Sequence, residues 1–166
     1  LRSVNASFKF PLYGRPDDVR LSPELDGGSL MDVGCYAVSA ARLFLGEPDR
    51  VYAHTDDARD SGVDTELAGV LEYDGGASAR VASGFDTSLV QRYRVDATNG
   101  WVEVRDAFDV SADDALELEY EVDGRHAVET FDPADQYRLE VDHFAAAIEA
   151  GEEPRTGGTD AIANMQ

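Results

Sequence analysis

The chain has 166 residues, 43% of them hydrophobic, which is enough to bury one core and hardly two, so a single globular domain over residues 1–166 is expected. Its 34 acidic and 14 basic residues leave a formal net charge of −20, a field that repels nucleic-acid phosphates and anionic lipid headgroups and excludes both as expected partners. Cys35, the only cysteine, excludes an intramolecular disulfide, and the longest apolar stretch is broken by Asp32, Ser39 and Arg42 well short of a membrane span.

In chain order, a strand pattern over 2–10 comes first, followed by the segment "DVRLSPEL" with Arg20. The run "GGSLMDVGCYAVSAARLFLG", residues 27–46, predicts a helix from Ser29 to Leu45, closed by Gly46 and Pro48. From 50 to 131 the chain reads as strand after strand: "RVYAHTD", "TELAGVLEY", "ASARVASGF", "QRYRVDAT", "GWVEVRD", "ALELEYEV" and "RHAVETF". Turn signals fall at "YDGGA", "TNG" and "VDGR". In "LELEYEV" the residues Leu116, Leu118, Tyr120 and Val122 share one face and three glutamates the other, so an antiparallel meander with one apolar face is expected.

"ADQYRLEVDHFAAAIEAG" then predicts about four helical turns ending at Gly151, with Tyr137, Val141, Phe144, Ala145 and Ile148 as a packed stripe. A last helix starts at Asp160 in "GGTDAIANMQ". The fold class expected is α+β: a large, mostly antiparallel sheet covered on one face by helices. The uncovered face is expected to be too apolar to stay wet, and a homodimer through it is the expected remedy. Both chain ends read as cut through an element, so a fragment is expected. With no charged-then-apolar leader pattern the chain reads as cytoplasmic.

On a wheel of about 100° per residue, Ser29, Asp32, Cys35, Tyr36, Ser39 and Arg42 fall in an arc of about 140°, with Leu43 the one apolar intruder. Elsewhere this protein meets water with aspartate and glutamate, whereas this face carries few charges, so something polar is expected to cover it. Gly27 and Gly28 would let a backbone or ligand come close to the helix N-terminus. Asp32 and Tyr36, four residues apart, could meet the same small molecule. A phenol can carry a proton to or from an alcohol, but near pKa 10 tyrosine is a sluggish base at neutral pH, and a neighbouring carboxylate raises that value. A cation must correct this. Arg42 lies about 9 Å along the helix axis from Tyr36 and Lys9 lies on another strand. Either the pair is structural, or the cation belongs to sequence outside this chain.

The run "ELDGGSLMDVGCYAVSAARLFLGEP" is similar to the segment opening the second domain of the glucose-fructose oxidoreductase (Gfo/Idh/MocA) family, and the tyrosine in "DVGCY" resembles the branch of xylose and dihydrodiol dehydrogenases, where other branches place a histidine. The strand-then-helix start, the long sheet, "DQYRLEVDHFAAAI" and "GGTDAIANM" follow the family's order. The resemblance implies a glyceraldehyde-3-phosphate dehydrogenase C-terminal-domain-like sheet. It also implies the second half of a dehydrogenase whose NAD or NADP is bound mainly by an N-terminal Rossmann domain, and a sugar or polyol substrate. Tyr36 would then be the acid/base and Asp32 would orient substrate and tune Tyr36. The glycine pairs here lack the strand-loop-helix context a dinucleotide needs, so this chain alone is expected to be inactive. The lysine of a Glu-Lys-Pro segment in the first half would be the missing cation.

Phe10, Arg20 and Tyr137 are the further candidates for substrate binding. His54, His126 and His143 lack metal-ligand spacing, and no metal is expected. Lys9 is the sole lysine, and such acid-rich, lysine-poor usage resembles proteins of salt-loving archaea. The alternative reading is a binding or oligomerisation module on the same scaffold without chemistry, since fold alone does not prove activity.

Overall fold

The computed structural model describes residues 1–14 and 17–166. Eight strands, β1 (Ser3–Lys9), β2 (Arg50–Asp56), β3 (Glu66–Glu72), β4 (Ser78–Gly84), β5 (Val90–Ala97), β6 (Gly100–Val104), β7 (Leu116–Val122) and β8 (Arg125–Phe131), form one sheet in the order β2-β3-β4-β1-β5-β6-β7-β8. Every predicted strand is present, yet the sheet is not a plain meander. β1 inserts between β4 and β5, parallel to the first and antiparallel to the second. The local reason is turn chemistry. The β3–β4 and β7–β8 hairpins close on residues with positive φ, Gly75 and Gly76 in one and Asp123 and Gly124 in the other. Residues 85–89, between β4 and β5, contain no glycine or proline, and the two strands stand apart with β1 in the slot between them.

The predicted helix is present but not uniform. Residues Leu30–Gly34 form a widened π turn, in which the Cys35 amide reaches back to the Leu30 carbonyl, and only then does regular helix α1 (Cys35–Leu45) begin. α1 lies across β1, β4 and β5 on its smallest residues. Ala37, Ala40 and Ala41 are buried against Val4, Ala6, Val81 and Val95, with Leu67 and Leu71 in the same core. A second cluster of Phe8, Leu12, Leu21, Val33 and Phe85 continues it under the π turn. At Gly34 the backbone comes so near β4 that a Cβ would sit 2.9 Å from Ser83 Oγ.

The start of the helix is closed by the protein itself. Ser29, fully buried, donates to Asp64 Oδ2 at 2.7 Å and lies 2.9 Å from Ser83 Oγ, while the Leu30 amide donates to the same Asp64 oxygen at 2.8 Å. The glycine pair makes room for these contacts. A Cβ on Gly27 would lie 2.5 Å from the Arg20 carbonyl oxygen, and one on Gly28, whose φ is +117°, would overlap the Asp64 carboxylate. So the expected close approach is made by backbone and by an internal carboxylate, which takes the place a ligand's anion would have had. Ser29 is therefore no part of the exposed polar stripe. The 100° wheel fails there because the π turn holds more residues per turn.

Two further expectations need correction. The stripe of α2 (Gln136–Ala150) is not packed: Tyr137, Val141, Phe144 and Ile148 are all exposed, and only Ala147 on this helix is buried. Periodicity reports which face needs cover, not what supplies it. The open sheet face is not apolar either. Arg94 stacks over Trp101 at 4.2 Å and pairs with Asp96 at 2.9 Å, while Glu119 takes Arg105 at 2.8 Å and His126 at 2.9 Å. The glutamates of "LELEYEV" lie on this open face, so its leucines point to the helix side.

Replacing Gly28 with alanine should destabilise the chain by about 2 kcal/mol or more, from the unfavourable φ and the overlap with Asp64. Urea unfolding of Gly28→Ala, Asp64→Ala and the double variant checks this. The double variant should lose less than the sum of the two, because the overlap has gone.

Candidate active site

Tyr36 stands on the first turn of α1, 44% exposed, with its ring against two others. Phe8 of β1 meets it edge-on at 5.6 Å between centroids, and Phe108, from the loop after β6, lies tilted at 5.9 Å. Phe8 and Phe108 are themselves stacked at 5.4 Å with 15° between planes. β1 presents Phe8 because its alternation places Val4, Ala6 and Phe8 on the helix side. Half-buried in this apolar setting, the phenol is pushed above the ordinary tyrosine value, first by burial and then by Cys35, Tyr137, Glu140 and Asp32. Among the described residues Tyr36 Oη makes no hydrogen bond.

Asp32 leaves the π turn toward Arg20, whose Nε donates to Asp32 Oδ2 at 2.9 Å and whose Nη1 donates to Asp18 Oδ1 at 3.2 Å. Burial opposes the charge on Arg20, yet the carboxylates of Asp32 and Asp18 outweigh it and hold the guanidinium above its usual pKa. Arg20 also sits 5.9 Å from the centre of the Phe10 ring. These two residues line a small pocket of about 280 Å³ together with Pro11, Leu12 and Tyr13. Tyr137, at the start of α2, is exposed and close enough to Tyr36 to affect its proton. The structure thus links Asp32, Arg20 and Phe10 on one side of the π turn and Tyr36 and Tyr137 on the other.

Lys9 and Arg42, the two cations weighed against Tyr36, are engaged elsewhere. Lys9 lies on the opposite sheet face, paired with Glu66 at 2.5 Å. Arg42 is bound by Glu47 at 2.7 Å and by Asp160 at 3.0 Å, the latter on α3 (Gly158–Met165). Asn164 of α3 donates to the Cys35 carbonyl, so α3 braces the junction of π turn and helix. Cys35 is half-buried, and burial is the main reason its thiol is pushed up. No group of His, Cys, Asp and Glu among the described residues has the arrangement of a metal site. No helix among them is long and apolar enough to cross a membrane.

Phe8, Phe108 and Asp64 escaped the sequence reading. Phe108 carried one signal: in "RDAFDVSADD" it is a large apolar ring inside an acidic loop, where a ring must either anchor the loop or stay wet.

Comparison with known proteins gives this geometry its context. Residues 1–103 match the profile of the GFO/IDH/MocA C-terminal domain. The D-xylose 1-dehydrogenase (NADP(+)) 2 of Haloferax volcanii is 57% identical over 164 residues, covering 99% of this chain and 50% of that protein. A 3-ketoreductase from Actinomadura kijaniata, solved with NADP and TDP-benzene, superposes with a TM-score of 0.88 at 26% identity, over 98% of this chain and 50% of the other. That ketoreductase has also been solved as single tyrosine-to-phenylalanine and lysine-to-alanine variants with both ligands. An aldose-aldose oxidoreductase from Caulobacter crescentus, complexed with glycerol, superposes at 0.84 with 32% identity, over 98% of this chain and 50% of that one. The chain thus spans about half the length of the relatives it matches. With a family profile over most of its length and a relative 57% identical from end to end, the chain belongs to the Gfo/Idh/MocA oxidoreductase family, in its C-terminal domain.

Proposed function

We propose that this chain is the substrate-side half of a cytoplasmic, NADP-dependent dehydrogenase that transfers hydride between the nicotinamide and an aldose or related polyol. The observation that carries this reading is the 57% identity, over 99% of the chain, to an NADP-dependent D-xylose dehydrogenase. The exposed phenol of Tyr36 among Phe8 and Phe108 supports it chemically.

The cofactor fits only as a guest of another domain. The space beside Gly27 and Gly28 is filled by the Arg20 carbonyl and the Asp64 carboxylate, and Gly75 and Gly76 form a hairpin turn, so neither pair cradles a pyrophosphate. Bound nicotinamide would supply or accept the hydride. What this chain contributes is proton transfer and position. Tyr36 Oη takes the proton of the sugar hydroxyl during oxidation, or returns it during reduction. Asp32, steadied by Arg20, orients the substrate and tunes Tyr36, while Phe10, Arg20 and Tyr137 line the approach. Its proton pushed up by its surroundings, Tyr36 needs a cation, which in this reading is a lysine of the Rossmann domain.

A homodimer through the open sheet face belongs to the same reading, its charged side chains setting the register and its exposed apolar side chains supplying the burial. Exposed Tyr52, Val70 and Val128 add a limited apolar share on that face. In a sedimentation run at high salt and micromolar concentration the protein should be dimeric; monomer alone would refute the interface. Salt is needed because −20 charges on each subunit repel strongly when unscreened.

Two experiments test the catalytic reading. The isolated chain should bind no dinucleotide and oxidise no sugar, whereas joined to its Rossmann domain it should reduce NADP with an aldose. There Tyr36→Phe should lower turnover by about two to four powers of ten with nucleotide affinity unchanged. Near-normal turnover in that variant would remove Tyr36 as acid/base. Second, the difference in phenolate absorbance between parent and Tyr36→Phe should place Tyr36 above an ordinary tyrosine in the isolated chain, and the joined protein should bring it down. A value that stays equally high in both would exclude the lysine as its partner.

A further inference from the structure

We infer that Gln91 is a positioning residue for the Tyr36 phenol, acting through Phe108; the inference rests on the acid/base role proposed for Tyr36. In the β1–β5 register Gln91 is the direct partner of Phe8, so it shares the helix-side face with Phe8, and it is 7% exposed. A buried amide needs partners for both its ends. Gln91 finds them in one residue of the loop after β6. Its Oε1 accepts from the Asp109 amide at 2.6 Å, and its Nε2 donates to the Asp109 carbonyl at 3.0 Å. On the other side of Phe108, the Ala107 amide donates to the Gln91 backbone carbonyl at 2.8 Å. One residue of β5 therefore clamps the loop immediately before and after Phe108.

The clamp matters because of what else holds that loop. Its neighbours in sequence include Asp106, Asp109, Asp113 and Asp114, which favour water and draw the segment outward. Phe108 goes the other way, stacked on Phe8 and leaning on Tyr36 and Tyr93. Its carbonyl also accepts from Gln136 Nε2 at 3.3 Å, which ties the start of α2 to the same point. Tyr36 Oη has no hydrogen-bond partner among the described residues, so the phenol direction is set by ring contacts alone. Of the two rings it touches, Phe8 is fixed in β1, whereas Phe108 sits on a loop held mainly by the Gln91 clamp, with one further bond from Gln136. Releasing the clamp frees one wall of the proton carrier and leaves the dinucleotide's own site untouched.

The test uses the two-domain protein with the sugar and dinucleotide that support turnover in the parent. Gln91→Leu keeps the volume and removes both side-chain bonds. The expected kcat loss is about 10- to 100-fold, the cost of misplacing a reacting group by about an ångström, with KM for the dinucleotide unchanged. Phe108→Leu, at a partly exposed position, should lose kcat in the same way and carries the test if Gln91→Leu fails to fold. In a Tyr36→Phe background either change should cost no more than about twofold further, because the group being positioned has gone. A fully additive loss, or kcat within about twofold of the parent in a folded single variant, overturns the positioning role while a large Tyr36→Phe effect leaves the acid/base reading standing. Normal turnover in Tyr36→Phe itself overturns both.

Discussion

Everything in the candidate site depends on how closely the first helix lies on the sheet. Gly34 and the alanines at 37, 40 and 41 let backbone approach backbone, and the hydrogen-bonded knot of Ser29, Ser83 and Asp64 fixes where the helix begins. With the start held at Asp64 and the alanine face held on β1, the intervening residues need one turn wider than α-helical. That turn is Leu30–Gly34. It sends Asp32 to Arg20 and leaves Tyr36 half-exposed beside Phe8 and Phe108, so two side chains four residues apart have different surroundings. Widened turns of this kind often occur where helices carry function, and their cost in regular hydrogen bonding is of the order of a single weak bond.

That same turn marks the limit of what the sequence could say. Strands and helix ends were readable, because alternation and glycine stops are local signals; the spacing of Asp32 and Tyr36 suggested a pair on one helix, whereas Asp32 lies in the π turn bound to Arg20 and Tyr36 stands on α1. The π turn was not readable: nothing in "SLMDVG" distinguishes it from α-helix, since its cause is Asp64, 35 residues beyond Ser29. The position of β1 between β4 and β5 was hidden for a similar reason. A parallel neighbour is chosen by tertiary packing, and the one local hint was the missing turn signal in residues 85–89. The open face misled in the other direction. Its alternation was read correctly, but the leucines of β7 face the helix side and the glutamates the open side, so the open face is charged where an apolar one was expected.

The charge on that surface follows the same economy as the rest of the chain. With 34 acidic residues, an arginine on the open sheet face finds a carboxylate within reach, as Arg94 does with Asp96 and Arg105 with Glu119. Exposed pairs like these contribute little each, on the order of a few tenths of a kcal/mol, and less in salt. They do order the charge: arginine on β5 faces glutamate on β6, and glutamate of β7 takes Arg105 and His126 on the same face.

Around Tyr36 the economy is reversed. The phenol is surrounded by aromatic rings and by groups that raise its pKa, while the chain's lysine is on the far side of the sheet and Arg42 is held by Glu47 and Asp160. Burial and these neighbours hold the Tyr36 proton on, and nothing positive in this chain stands beside it to oppose them. Under the proposed function this is a safeguard built from geometry: the proton carrier and its activating cation belong to different domains, so Tyr36 gains its working pKa only when the nucleotide-bearing domain is closed over it. Burial that looks unfavourable in this chain alone then becomes useful, because the same rings that raise the pKa exclude water from the lysine–tyrosine contact and strengthen it.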